Sequence, residues 1–264
     1  MILLYYIRKT LLVRLMFNFF ADENSRQGDF YYISGSDFNH IKNVLRMKTG
    51  ETFLVSDKGE SHLCEIISFE GETAVAKITV ENYQNTELPV KIYLFQGLPK
   101  SDKMELIIQK CVELGVFAVI PTEMSRCVVK LEEKKKKSKI ERWQAISESA
   151  AKQSKRNIIP EIMNVMSYKE ALKFAESLDM TIVPYESESG MKGTKETLSK
   201  ITNGQSIGIF IGSEGGFDEK EIAFAKEKGA EIVSLGKRIL RTETAAITSV
   251  AMCMLHIEMN GENG

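Results

Sequence analysis

From residue 90 onward the chain alternates short apolar runs with helical patterns, and this rhythm constrains the fold more than any other feature. VKIYLFQG, FAVIPTE, MTIVPY, SIGIFIG and EIVSLG have strand length and are apolar on both faces, as strands buried between two helical layers must be. Between them, SDKMELIIQKCVELG places Met104, Ile107, Ile108, Cys111 and Leu114 on one helical face, with Ser101 or Asp102 as N-cap and Gly115 as the stop. KIERWQAISESAAKQS, SYKEALKFAESL, DEKEIAFAKEKG and TETAAITSVAMCMLHIEM continue the pattern. Alternating β and α predicts an α/β domain with a mostly parallel sheet.

The preceding segment has a different rhythm. ETFLVSD and SHLCEIISF flank Lys58-Gly59, and TAVAKITV follows Glu70-Gly71-Glu72, a pattern of hairpins or a small barrel. SDFNHIKNVLRMKTG reads as a short helix capped by Ser36 or Asp37, with Ile41, Val44 and Leu45 as its apolar stripe. The polar stretch ENYQNTELP is the expected linker. The chain therefore divides into residues 16–88 and 89–264. Residues 1–15 are apolar but broken by Arg8, Lys9 and Arg14, too short a run to span a bilayer. They read as an upstream extension ahead of a start at Met16.

Charge and cysteine usage exclude little by themselves. The net charge of -1 does not announce nucleic-acid binding, so any such role needs a local patch. One exists: Arg126 to Arg156 holds eleven Lys/Arg against four Glu. Cys64, Cys111, Cys127 and Cys253 form no C-x-x-C pair, and with His40, His62 and His256 they offer no zinc spacing. No metal is expected, and the thiols read as reduced in a cytoplasmic protein.

Two glycine loops carry the chemistry. GIFIGSEGGFDEKEI runs from a strand through Gly212-Ser213-Glu214-Gly215-Gly216 into a helix, where Asp218 and Glu221 form a D-x-x-E capping box. It lacks the lysine of a P-loop and the G-x-G-x-x-G of a dinucleotide site, and Glu214 would repel a pyrophosphate. A neutral or cationic ligand suits it better. SLGKRILRTETAAIT repeats the strand–glycine–helix arrangement, with Thr242 or Thr244 as cap. If their strands are neighbours, the two loops form one pocket.

IGSEGGF followed by LGKRILRTETAAI resembles the paired signatures of the RsmE-type ribosomal RNA methyltransferases of the SPOUT superfamily. LPKSDKMELIIQKCVELGV, IPTEMSRCVV, RWQAISESAAKQSKRNIIPEI and FNHIKNVLRMKTGE resemble further family segments in matching order. The resemblance implies a PUA-like β-barrel for RNA, then a SPOUT-type parallel sheet with a deep trefoil knot. It also implies S-adenosylmethionine as methyl donor, a homodimer, no membrane association, and N3-methyluridine in 16S ribosomal RNA of the small subunit as product. Another RNA site, or a non-catalytic RNA-binding role, are the alternatives. Three positions depart from the family pattern: Ser213 stands where proline is common, Lys152-Gln153-Ser154-Lys155-Arg156 where Glu-Gln-Ser-Gly-Arg is frequent, and Asn18 where a basic residue is expected.

Transferred to this chain, the resemblance implies a cofactor pocket of Pro184, Tyr185, Ile211, Gly212, Glu214, Gly215, Gly216, Leu235, Gly236, Ile239, Leu240 and Thr244. Arg241 would supply a positive field to the reacting uracil, and Glu243 or Glu214 would accept its proton. Arg46, Lys100, Arg126, Lys152, Lys155 and Arg156 would contact RNA phosphates.

Overall fold

The computed structural model describes residues 16–185 and 190–261. The expectation for residues 1–15 lies outside the described residues. The chain forms two compact units: one of residues up to Glu87 together with Ala151–Ile158, the other of Leu88–Ala150 and Ile159 onward. Residues 151–158, which the sequence groups with the α/β segment, thus cluster with the first unit.

The first unit is a six-stranded mixed sheet. Its strands are β1 (Asn18–Phe20), β2 (Arg26–Gln27), β3 (Phe30–Ile33), β4 (Thr52–Asp57), β5 (Glu60–Glu70) and β6 (Thr73–Val80), in the order β1-β4-β5-β6-β3-β2. Only β1 and β4 run parallel; the rest pair antiparallel. Phe19, Tyr31, Ile41, Phe53 and Ile66 fill its core. Lys58 and Gly59 both take positive φ in the β4–β5 turn, which suits a tight hairpin connection.

Helix α1 (Gly35–Asn39) is capped at Ser34, two residues before the earlier of the expected caps, Ser36 and Asp37, and passes directly into a π-helical turn, His40–Val44. The wider π turn shifts the side-chain phase. Ile41 is therefore buried while Val44 faces solvent at 63% exposure, which breaks the expected stripe.

Within this unit, two of the family departures have structural roles. Asn18 is buried and donates from Nδ2 to the Arg156 carbonyl at 3.1 Å, while Ser56 Oγ donates to Asn18 Oδ1 at 3.1 Å. Arg156 is itself 3% exposed and bonded through its guanidinium to Glu87, Nε lying 2.9 Å from Oε1. Lys152 pairs with Asp37 at 3.0 Å. A buried arginine whose fork is already filled by a carboxylate cannot also meet an RNA phosphate, so the structure corrects that expectation for Arg156.

The second unit is a seven-stranded parallel sheet. It comprises β7 (Lys91–Gly97), β8 (Ala118–Glu123), β9 (Glu161–Ile162), β10 (Met166–Ser167), β11 (Met180–Pro184), β12 (Ser206–Ile211) and β13 (Glu231–Val233). The order is β10-β8-β7-β12-β11-β13, with β9 also on β8. The helices are α2 (Lys103–Glu113), α3 (Glu133–Ser154, whose residues from Ala151 cluster with the first unit), α4 (Tyr168–Ala175), α5 (Lys192–Leu198), α6 (Glu219–Glu227) and α7 (Thr242–Gly261). The five expected strands and the helices between them are present; β9, β10 and α5 are additions that the periodicity does not announce. Ser167–Glu170 and Asp218–Glu221 form complete capping boxes at α4 and α6. None of the described helices is long and apolar enough to cross a membrane.

Phe95 on β7 and Phe210 on β12 are register partners with fully buried rings, stacked at 4.2 Å. They hold together the two central strands, of which β12 carries the first glycine loop at its carboxyl end. Phe210→Ala is expected to destabilise this unit by about 3–5 kcal/mol through the cavity it leaves, read as a drop in the denaturation midpoint by tryptophan fluorescence or circular dichroism.

Candidate cofactor and RNA site

Parallel strands deliver their loops to one edge of the sheet, and ligands of such sheets lie outside the carboxyl ends of the strands. Here the ends of β8, β12, β11 and β13 surround one cavity of about 650 Å³, within the 300–1,000 Å³ range of small-molecule sites. The two glycine loops do not come from neighbouring strands: β11 lies between β12 and β13. Pro184 and Tyr185, at the end of β11, fill the gap, and the Tyr185 N–H donates to the Val233 carbonyl at 2.9 Å.

Thr242 ties the loops together. Its hydroxyl donates to the Gly212 carbonyl at 2.6 Å and accepts from Gln96 Nε2 at 2.9 Å. All of the expected cofactor residues line the cavity except Thr244; Thr242 and Ala245 are there instead. The reason is helical phase. α7 begins at Thr242, so a residue three positions on shares its face and one two positions on does not. Ile239 lines the cavity yet is 85% exposed, so it is a rim residue with no part in the core.

The glycines meet a steric demand. A Cβ on Gly212 would lie 2.9 Å from the Gly216 carbonyl carbon, and one on Gly215 2.9 Å from Arg126 Cβ. Gly216 and Gly236 take φ of +67° and +104°, which favours glycine. Backbone and small side chains thus form a close-fitting cradle that a ligand's edges can approach directly. The wall combines apolar surface, backbone polar groups, a Glu214 carboxylate already paired with Lys103, and the cations Arg126, Arg238 and Arg241. The apolar and backbone surface fits the adenine of S-adenosylmethionine, and the cations fit its amino-acid carboxylate.

The catalytic expectations separate. Arg241 lines the cavity and is exposed, and among the described residues its guanidinium has no ion-pair or hydrogen-bond partner; the same holds for Arg238. Glu214 lines the cavity, but its Oε1 already accepts from the Lys100 N–H at 3.0 Å and Lys103 Nζ at 2.9 Å. Burial pushes this carboxyl up, yet the hydrogen bonds from Lys103 and the backbone outweigh it and hold it below the ordinary value. A carboxylate so held is a poor proton acceptor, which corrects the expectation for Glu214. Glu243 is not on the cavity wall; its Oε2 is buried without a hydrogen bond, 3.6 Å from Lys103 Nζ.

Lys103 is a charged cavity residue that sequence reasoning missed. It lines the cavity between the two carboxylates, and the Glu214 hydrogen bond raises its pKa, keeping it cationic. A lysine in the first turn of a helix, just past a strand end, was the only signal.

Of the residues assigned to RNA, Arg126 borders the cavity with its side chain half exposed, and Lys100 is exposed beside the Glu214 loop. Arg46 is exposed on the first unit with φ of +54°. Lys152 and Arg156 are held by Asp37 and Glu87, and Lys155 is a part-buried turn residue with φ of +58°. Glu60, His62 and Glu81 cluster in the first unit, where Glu81 is already paired with Arg26 at 2.6 Å. All four cysteines are free.

Comparisons with known proteins match this layout. Residues 86–254 match the RNA methyltransferase domain family, and residues 33–80 match the RNA methyltransferase PUA domain family. Ribosomal RNA small subunit methyltransferase E of Bacillus subtilis (strain 168) is 39% identical over 234 residues, covering 87% of this chain and 91% of its own. The protein of that name from Mesomycoplasma hyopneumoniae (strain 232) is 34% identical over 90% of this chain and 99% of its own. Among solved structures, ribosomal RNA small subunit methyltransferase E from Neisseria gonorrhoeae, bound to S-adenosyl methionine, has a TM-score of 0.77 at 33% identity, covering 91% of this chain and 97% of its own.

Proposed function

Because the chain belongs to the ribosomal RNA small subunit methyltransferase E family of RNA methyltransferases, we propose that it transfers a methyl group from S-adenosylmethionine to N3 of a uridine in 16S ribosomal RNA. The observation that carries this reading is the cavity that Thr242 closes by joining two glycine loops at the carboxyl edge of a parallel sheet. The donor, when bound, supplies a methyl group on a sulfonium. Gly212, Gly215, Gly216 and Gly236 let the main chain approach that donor. Ile211, Leu235 and Leu240 offer the apolar surface for an adenine.

Uridine N3 lies on the Watson–Crick edge, so the base must be unpaired or turned out of its stack. Its proton must pass to an acceptor, here solvent water, before the nitrogen lone pair can attack. Arg241, free at the cavity, stabilises the negative charge this leaves on the uracil. Arg126, Lys100 and Arg46 are the exposed cations assigned to phosphate, and affinity for RNA falls with added salt. The trefoil knot, homodimer and cytoplasmic setting belong to the same reading and are supported by the family resemblance.

Nucleoside mass mapping of 16S RNA tests it. In a strain lacking the protein, one N3-methyluridine is expected to be missing, and incubating that strain's small subunits with protein and S-adenosylmethionine is expected to restore it. An unchanged methylation map would refute the reading.

A further inference from the structure

Glu221 is 6% exposed and does not line the cavity, yet both of its carboxylate oxygens are used. Oε2 accepts from the Asp218 N–H at 2.8 Å, closing the capping box of α6. A capping-box glutamate ordinarily serves only its own helix. This one reaches further: Oε1 accepts from the Ser125 N–H at 2.7 Å, in the loop that follows β8.

The next residue of that loop, Arg126, is bound to the cofactor loop from both ends. Its carbonyl accepts from the Ser213 hydroxyl at 3.1 Å, and its Nη1 donates to the Gly215 carbonyl at 3.3 Å. Its Nη2 lies 3.7 Å from Asp218. Gly215 is in van der Waals contact with it, since an added Cβ would sit 3.0 Å from the Arg126 carbonyl oxygen. Ser213 is itself buried. A proline at that position would stiffen the loop but carries no hydroxyl to reach Arg126.

We propose that Glu221 and Ser213 latch the cofactor loop to the Arg126 loop, so that cofactor binding and RNA binding at Arg126 reinforce each other. This rests on the methyltransferase reading above. The two loops share their hydrogen bonds, so displacing one displaces the other. A ligand that orders the shared unit lowers the ordering cost met by the second ligand, and the coupling is reciprocal by linkage. Glu221 is a positioning residue, acting through Ser125 and the α6 cap. Glu221→Gln turns one acceptor into an amide that faces a backbone N–H.

The test measures affinity for small-subunit ribosomal RNA with and without saturating S-adenosylhomocysteine, alongside calorimetric titration of S-adenosylmethionine. In the wild type the cofactor product is expected to tighten RNA binding about five- to tenfold. Glu221→Gln and Ser213→Ala are each expected to reduce that factor to about twofold or less. Ser213→Ala removes a single hydroxyl, so its result stands even if Glu221→Gln fails to fold. A coupling factor near one in the wild type, or an unchanged factor in Ser213→Ala, overturns the latch. So does a lowered melting temperature in Glu221→Gln with coupling intact, the signature of a merely structural role. A wild type that binds cofactor and methylates RNA without coupling overturns the latch alone. One that binds no cofactor overturns the methyltransferase reading and the latch with it.

Discussion

Gly97→Ala is expected to weaken S-adenosylmethionine binding and methyl transfer together by about 10²-fold, the effect of a site displaced by roughly 1 Å. Gly97 closes β7 and does not itself line the cavity, but a Cβ there would lie 2.7 Å from the Ser213 nitrogen and 3.1 Å from the Gly212 carbonyl carbon, both on the cavity wall. Backbone atoms cannot yield as a flexible side chain can, so the methyl group pushes the cofactor loop outward. Gly97 has no positive φ, so the substitution is purely a matter of space. Stability is expected to fall by only about 1–3 kcal/mol, the usual cost of overpacking. Calorimetric titration with S-adenosylmethionine and a thermal melt on the same variant separate the two effects; unchanged affinity would show that the loop tolerates the methyl.

Lys103→Met is expected to lower kcat/KM by about 10²-fold, comparable to removing one oriented charge from an active site, and to change the pH dependence of cofactor binding. The substitution keeps length and apolar bulk but leaves Glu214 and the buried Glu243 Oε2 without their shared cation. In the wild type the Glu214 carboxyl is held below its ordinary value despite partial burial, by Lys103 and backbone hydrogen bonds. A depressed carboxylate contributes stability above its unfolded pKa of about 4.3 and loses it as pH falls through the folded value. Wild-type cofactor affinity is therefore expected to stay flat from neutral pH down to the ordinary carboxylate range and to weaken only below it. In Lys103→Met the weakening begins at higher pH, because burial then acts on Glu214 without the opposing cation. Titrations across acid to neutral pH read this directly. Superimposable profiles for the two proteins would remove Lys103 from the electrostatics of the site.

What the sequence made legible was whatever repeats locally. Strand and helix periodicity located β7, β8, β11, β12 and β13 and the helices α2, α3, α4, α6 and α7, and D-x-x-E marked the cap of α6. The two glycine loops announced a pocket because their composition is unusual over a few residues. Three kinds of feature escaped. The π turn at His40–Val44 follows no standard period, so Val44 was assigned inward and faces out. Lys103, Gln96 and Gly97 matter through contacts with residues more than a hundred positions away, which no local pattern records. Arg156 looked like a phosphate ligand because its charge is visible in the sequence, whereas its partner Glu87 is visible only in space.

The division of the chain at Glu87 and Ala151–Ile158 has a practical corollary. The polypeptide passes between its two units three times, at residues 87–88, 150–151 and 158–159, so a single cut in the linker does not yield two self-sufficient pieces. A fragment beginning at Leu88 keeps Arg156 but loses Glu87, which neutralises its guanidinium, and Asn18 and Ser56, which donate to its carbonyl. A fragment ending at Glu87 keeps those groups with nothing to hold. Exchanging the first unit between relatives therefore requires carrying the Ala151–Ile158 segment with it.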